Sequence, residues 1–548
     1  MPTITVNKKI FEQLVGKKVS LELIKERLPM LGTSLEKADE EELVVEIFPN
    51  RPDLLSEQGL ARAFSSFLGI KKGLVKYSVK KSGEKVIIDK SVKEVRPYTA
   101  CAIVKSLRID EEKLREIIQI QEKLHITYGR HRKKAAIGIY PLEKITFPIT
   151  YRAEKAEKIV FQPLEFPKTI NALQMLSQHK AGREYGHLLE GKEKFPFFID
   201  AKKEILSLPP IINSHLMGKI TSQTKDVFVE CSGFDYPTLS ICLNIIVTAL
   251  AEMGGQIYSV DLIYDKEKKI SPNLTPQKMK LDLKYINQRL GLDLKVKEAK
   301  ELLERMGLDL EKNQVLIPAY RADILHPADL AEDIAIAYGY ENFIEEIPQV
   351  ATIGEEDPLA KFANKVREIL VSCGLIEVKN YSLMREEELN QKMGLEQEII
   401  PLKNAQGDYN HLRNSLFPAL LKNLAENQHQ EYPQNIFEIG RVFHYDLSQE
   451  TGVRETEKLA VMLCYDQSDF TALKQILEAL FSSLGVELKI QESEHSSAIP
   501  GRAGDILLKG EKIGMLGELH PQVLTNWNLV MPAVGLELDL ELLFEKVR

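Results

Sequence analysis

The chain has 548 residues, of which 44% are hydrophobic and 28% charged, with a formal net charge of −8. That length is too great for one ordinary core and predicts three or four domains of ordinary globular composition. The acidic balance excludes a wholly basic nucleic-acid coat, although a local Lys/Arg patch still attracts phosphates.

The first module, residues 1–85, opens with a strand over Thr3–Val6 and has no apolar core suited to a signal peptide. Helical periodicity follows over Leu21–Leu28 behind Ser20, then strand alternation over Leu43–Phe48. A turn-rich Pro49-Asn50-Arg51-Pro52-Asp53 leads into a helix capped by Ser56, and Lys71–Lys85 has the composition of a linker. The second module, residues 86–270, mixes strands and helices. An amphipathic helix over Ile109–Leu124 ends at a loop carrying the basic patch Arg130-His131-Arg132-Lys133-Lys134, with a strand over Ala135–Tyr140. Pro209-Pro210 punctuates the apolar pair Ile211-Ile212, which runs into polar Asn213-Ser214. A strand over Val227–Glu230 precedes a helix over Leu239–Met253, stopped by Gly254-Gly255. That apolar run carries Asn244 and Glu252 and is short for a bilayer span, so no membrane segment is expected.

Residues 271–348 read as two short helices (Leu283–Leu290, Val296–Met306), a strand over Val315–Ile317 and a third helix over Leu330–Tyr338, a winged-helix-like order. Residues 355–548 alternate strands with helices and predict an antiparallel sheet with flanking helices. The whole is therefore a multidomain α/β and α+β protein. Its five cysteines are far apart and include no CxxC pair, which removes thiolate zinc modules and a disulfide framework and predicts a cytoplasmic protein.

Ordered phrases in all four modules carry a resemblance. Phe48-Pro49-Asn50-Arg51-Pro52-Asp53-Leu54-Leu55-Ser56 stands in the first; Gly129-Arg130, Ala135-Ala136-Ile137-Gly138-Ile139 and Gly182-Arg183-Glu184-Tyr185-Gly186-His187 stand in the second. Tyr320-Arg321-Ala322-Asp323-Ile324 and Glu332-Asp333-Ile334-Ala335 follow in the third, then Leu412-Arg413-Asn414-Ser415 and Ile436-Phe437-Glu438-Ile439-Gly440 in the fourth. Together they resemble phenylalanyl-tRNA synthetase β subunits of the archaeal/eukaryotic type. The resemblance implies an editing-type α/β second domain, a magnesium-binding third and a catalytically inactive class II synthetase-like fourth. It also implies an (αβ)2 heterotetramer in which the α subunit holds ATP and phenylalanine and the complex charges tRNA(Phe). No catalytic residue for aminoacylation is expected in this chain, which shows no glycine-rich loop of P-loop spacing.

Two clusters carry the candidate chemistry. Asp329, Glu332 and Asp333 fall at i, i+3 and i+4 on one helical face, and Asp323 can converge from the preceding loop. Such oxygens suit Mg2+; the other reading is a solvated acidic face at a helix N-terminus. The resemblance favours magnesium, since all four positions match the family's pattern. In the second module the resemblance implies hydrolysis of tyrosine wrongly attached to tRNA(Phe). A pocket for that ester needs a polar partner for the phenolic hydroxyl. Leu206, Asn213, Ser214, Glu230, Ser232 and Asp235 are the candidates. Ser232-Gly233-Phe234-Asp235 departs from the Thr-Gly-Thr-Asp-like stretch of the archaeal branch, so two readings stay open: an editing pocket, or a polar turn in a structural and tRNA-binding subunit without editing. Arg413 can either bridge a carboxylate or meet RNA.

Overall fold

Polar residues ahead of each apolar run start the first helices. Asn7, Ser20 and Ser56 accept hydrogen bonds from backbone N–H groups of the helices Lys8–Val15, Leu21–Met30 and Glu57–Phe67, supplying partners for otherwise orphaned donors. These helices pack on a three-stranded antiparallel sheet in which Glu42–Ile47 lies between Thr3–Asn7 and Thr33–Ala38. The computed structural model describes residues 2–347, 354–405 and 407–548, which fall into two units, one ending at Ile347 and one containing the rest. Residue 348, where the sequence predicts the third module to end, lies outside the described residues.

The first unit is organised by a ten-stranded sheet. Nine of its strands run from Ile212–Asn213 through Ile205–Leu208, Phe195–Ile199, Ile149–Glu154, Val79–Ile88, Gln256–Ile263, Tyr98–Lys105 and Val227–Gly233 to Ala135–Pro141, and the tenth, Lys268–Ser271, pairs with Gln256–Ile263 off this path. Val79–Ile88 corrects the reading of Lys71–Lys85 as linker. From Val79 onward the chain is a strand, paired in parallel with Gln256–Ile263 and Ile149–Glu154. Lysines and Gly83 dominate its composition, but the lysines stand exposed while the backbone pairs on both sides. Local composition does not report that pairing.

The helix Tyr236–Glu252 lies against the same sheet, with Leu239, Leu243, Ile246 and Leu250 in a core shared with the N-terminal helices and the 280–340 region. In that region, helices Leu283–Leu290 and Val296–Arg305 fall between the first and second strands of a three-stranded antiparallel sheet, in which Gln314–Ile317 lies between Gln277–Lys280 and Asp309–Glu311. The next helix, Pro327–Tyr338, starts a turn earlier than the sequence predicts. Pro327 at its first position and His326 at the cap fix that start, because proline lacks only an N–H that would be orphaned there anyway.

The second unit is a seven-stranded sheet, antiparallel except at the edge where Ile376–Glu377 runs parallel to Gln434–Tyr445. Val453–Cys464 and Ala533–Asp539 follow inward. Helices Pro358–Ser372, Phe470–Leu484 and Leu540–Val547 bury one face, and Phe417–Glu426 belongs to the core of the other. Arg413 is 1% exposed and donates to Glu438 Oε1 at 2.8 Å, so it bridges a carboxylate and offers nothing to RNA. Among the described residues no helix is long and apolar enough to cross a membrane.

Candidate functional site

The strand Val227–Gly233 is buried along its whole length, and its period of two separates two environments. Val227, Val229 and Cys231 enter the apolar core beneath the long helix, while Phe228, Glu230 and Ser232 face the other side. Glu230 stands opposite Gly138 on the neighbouring strand, and Phe228 opposite Tyr140. The Tyr140 hydroxyl donates toward Glu230 Oε1 at 3.1 Å and lies 3.3 Å from Asn213 Oδ1. Glu230 and Asn213 line a cavity of about 150 Å3, with Ser207, Arg132, His125 and the Pro209–Ile212 turn.

Burial dominates the electrostatics. It pushes the Glu230 carboxyl up to about 8, against the opposing effects of the Tyr140 hydrogen bond, the Arg96 charge and Ser232. Glu230 is thus mainly neutral at pH 7 and presents both a donor and an acceptor. Its Oε2 and the Ser207 Oγ are buried with no hydrogen-bond partner among the described residues. Arg96, itself buried, donates to the Ser232 Oγ at 3.2 Å and to the Ser232 carbonyl, fixing the strand behind the cavity.

Of the six residues selected from sequence, Asn213 and Glu230 line the cavity, with Ser232 next along the same face. Leu206 does not: it sits in the apolar cluster with Tyr140 and Phe198, and strand alternation turns its neighbour Ser207 to the cavity instead. Ser214 is occupied structurally, its Oγ accepting from the Met217 N–H at 3.3 Å. Asp235 caps the helix Tyr236–Glu252, accepting from the Thr238 N–H and hydroxyl at 3.0 and 2.6 Å, bonds that hold its carboxyl below the usual range. Phe234 is 50% exposed and lies with its ring 5.5 Å from the Arg96 guanidinium, outside the cavity lining. The bulky ring therefore leaves the cavity open.

His125 and Arg132 were not legible as site residues. His125 is buried, its Nε2 accepts from the Ile137 N–H at 2.8 Å, and its Nδ1 lies 3.2 Å from Glu122. Burial lowers its pKa, so the ring is neutral and both nitrogens are engaged, which makes it a support and not a base. Gly138 is where side-chain packing demands glycine: a Cβ there would lie 2.1 Å from the Tyr140 hydroxyl oxygen. Gly138→Ala is expected to expel the Tyr140 ring and impair the cavity at least as much as Tyr140→Phe. Comparing the two variants in any assay of the site checks this, and a silent Gly138→Ala would refute the packing argument.

The acidic quartet is divided. Arg321 donates to both oxygens of Asp323 at 2.8 and 2.7 Å and to both oxygens of Asp333 at 3.1 and 3.0 Å. Asp329 Oδ2 accepts from the Leu325 and His326 N–H groups, each at 2.7 Å, as part of a capping box. Glu332 Oε1 accepts from the Tyr340 hydroxyl at 3.0 Å. A guanidinium, backbone amides and a phenol thus each engage part of this quartet, and among the described residues no group of three or more His, Cys, Asp or Glu could hold a metal. This arrangement does not fit a bound Mg2+.

Residues 345–540 match the phenylalanyl-tRNA synthetase beta chain CLM domain, and residues 279–340 match the tRNA synthetase B5 domain. The phenylalanine–tRNA ligase beta subunit of Pyrococcus abyssi is 42% identical over 557 aligned positions, covering 100% of both chains. That of Archaeoglobus fulgidus is 37% identical, covering 100% of this chain and 99% of its own. Among solved structures, an N-terminal fragment of the phenylalanyl-tRNA synthetase beta subunit from Pyrococcus horikoshii is 40% identical with a TM-score of 0.60, covering 62% of this chain and 100% of the fragment.

Proposed function

This chain belongs to the family of phenylalanine–tRNA ligase β subunits, and we propose that it serves as one. With a separate α subunit, in an (αβ)2 heterotetramer, it charges tRNA(Phe) with phenylalanine using ATP, both small substrates being held by α. In this reading the 86–270 region is the editing domain, 271–348 the winged-helix-like module and 355–548 an inactive class II synthetase-like domain, with the complex in the cytoplasm. No step is assigned to magnesium on this chain.

The cavity beside Glu230 is the editing site of this proposal. Its substrate is tyrosine esterified to tRNA(Phe), and hydrolysis adds water across the ester to give free tyrosine and the 3′ end of the tRNA with its hydroxyl restored. One observation carries the assignment: Glu230 Oε2 and Ser207 Oγ are both buried and unpaired at the same small cavity. A phenolic hydroxyl would supply the missing hydrogen bonds, whereas phenylalanine would leave them unmade at roughly 1–3 kcal/mol. That difference amounts to about one or two powers of ten in rate.

The test uses the purified chain with and without its α partner. The chain alone is expected to attach no phenylalanine to tRNA, and the complex to do so. The complex is also expected to release tyrosine from Tyr-tRNA(Phe) at least about tenfold faster than phenylalanine from Phe-tRNA(Phe). Charging by the free chain would refute the partnership. Equal release of the two amino acids would leave a structural and tRNA-binding subunit without editing.

A further inference from the structure

Three consecutive residues beside the cavity, Arg130, His131 and Arg132, have left-handed backbone, with φ of 48°, 50° and 64°. L residues avoid that region because Cβ crowds the following carbonyl, and a run of three without glycine persists only where its surroundings impose it. Here they do. The Arg132 N–H donates to the His125 carbonyl at 3.1 Å, Lys133 N–H to Arg130 at 3.1 Å, and Lys134 N–H to Gly129 at 2.8 Å. The Arg96 guanidinium, buried in the same domain, donates to the Arg132 carbonyl at 3.2 Å.

The turn separates its charges. Arg132 points inward and lines the cavity, donating to the Ile211 carbonyl at 2.7 Å and to Glu122 at 3.2 Å, with its guanidinium 4.2 Å from the centre of the Tyr185 ring. Its contact with Ile211 ties the turn to the wall that carries Asn213. Arg130, Lys133 and Lys134 point to solvent and form no ion pair among the described residues. Lys134 contributes a little to the lowered pKa of Asp235, whose carboxylate is already engaged by Thr238. Three uncommitted cations within five residues are thus held in a rigid backbone at a cavity too small for more than an amino-acid side chain.

We propose that this turn is the phosphate-binding mouth of the cavity, with Arg130, Lys133 and Lys134 gripping the backbone of a single-stranded nucleic-acid 3′ end whose terminal ester enters beside Glu230. The last clause rests on the deacylation reading above; the phosphate binding does not. Arg132 is a positioning residue here, holding the turn and the cavity wall in one geometry. A duplex cannot enter a cavity of about 150 Å3, so the strand that reaches it has to be single. A fixed basic rim grips such a strand through its phosphates whatever its bases.

The experiment uses the α–β complex and the triple variant Arg130→Ala/Lys133→Ala/Lys134→Ala. Binding of a fluorescent single-stranded RNA matching the tRNA 3′ end is followed by anisotropy between 50 and 200 mM salt. Each phosphate contact on a single strand contributes about 0.7 to the slope of log affinity against log salt, so three contacts contribute about 2. Over that fourfold salt range the wild type is therefore expected to lose roughly 20-fold more affinity than the variant. On tyrosyl-tRNA(Phe) the variant's kcat/KM is expected to fall by at least about tenfold more than on tyrosyl-adenosine, an ester with no phosphate. Equal salt slopes would overturn the proposal. So would release of the α subunit by the triple variant, seen in size-exclusion chromatography, because the turn would then be a protein interface. If wild type hydrolyses neither ester yet the RNA slopes differ as expected, the deacylation reading fails and the phosphate site stands.

Discussion

Replacing Arg321 with alanine is expected to destabilise the first unit by about 3–5 kcal/mol, read as a large downward shift of its thermal or urea transition. The Arg321 side chain is 1% exposed and is bound by two carboxylates, Asp323 and Asp333, whose side chains are 13% and 6% exposed. The bidentate pair Arg51–Asp53, at 2.9 and 2.8 Å, adds a second buried guanidinium whose charge acts on Arg321. Removing Arg321 leaves its two acids in low dielectric facing only the charge of Arg51, whose hydrogen bonds are already committed to Asp53. The cost is therefore the desolvation of ions that have lost their hydrogen-bonded counter-charge, more than the loss of the five hydrogen bonds Arg321 makes. The control is Arg321→Met with Asp323→Asn and Asp333→Asn, which removes the charges together and is expected to recover most of the loss. Magnesium supplies a second readout. Added Mg2+ is expected to leave the wild-type transition in place, because Arg321 already occupies the oxygens, and to raise that of Arg321→Ala, where two carboxylates are freed. A wild-type transition that rises with Mg2+ would show that the quartet rearranges to bind it, and an Arg321→Ala loss under about 1 kcal/mol would refute the network as described.

The division of that quartet shows what a sequence does and does not disclose. The spacing of Asp329, Glu332 and Asp333 does place them on one helix, but their partners come from elsewhere: Arg321, the Leu325 and His326 amides, and Tyr340. A helical face predicts where carboxylates stand, not which donors reach them first. Asp235 is similar, since a residue three positions before Thr238 is as good a helix cap as a site acid, and here it is a cap. Leu206 and Ser207 differ by one position, and one position on a strand exchanges core for cavity; nothing local says which face holds the cavity. Caps at Ser20 and Ser56, the strand over Ala135–Tyr140 and the long apolar helix were legible because their causes are local. Val79–Ile88 was not, because its stability comes from strands that follow it by tens to nearly two hundred residues.

Glu230 is the residue whose substitution should change the cavity most. Its folded pKa of about 8 exceeds the ordinary glutamate value because burial penalises the ionised form. The sign follows from proton counting. Between the unfolded value, about 4.3, and the folded one the native state holds a proton that the unfolded state has released. The stability present below about pH 4.3 is therefore lost progressively as pH rises to about 8, and the loss is constant beyond. Glutamine has no proton to lose, so Glu230→Gln is expected to gain on the wild type across this window, on the order of 5 kcal/mol if the site titrates alone. Thermal transitions of the two proteins from pH 4 to pH 9 measure the difference, and a gap that does not widen with pH would show that Glu230 is ionised in the folded state. Function separates this substitution from Glu230→Ala. Glu230→Gln keeps a neutral donor and acceptor beside Tyr140 and should retain discrimination against tyrosyl ester at pH 7 within about threefold. Glu230→Ala removes the partner of the phenolic hydroxyl and should lower the preference for tyrosine over phenylalanine by about 10- to 100-fold. If both substitutions abolish deacylation equally while the complex stays assembled, the carboxyl acts on the ester itself and not on the phenol.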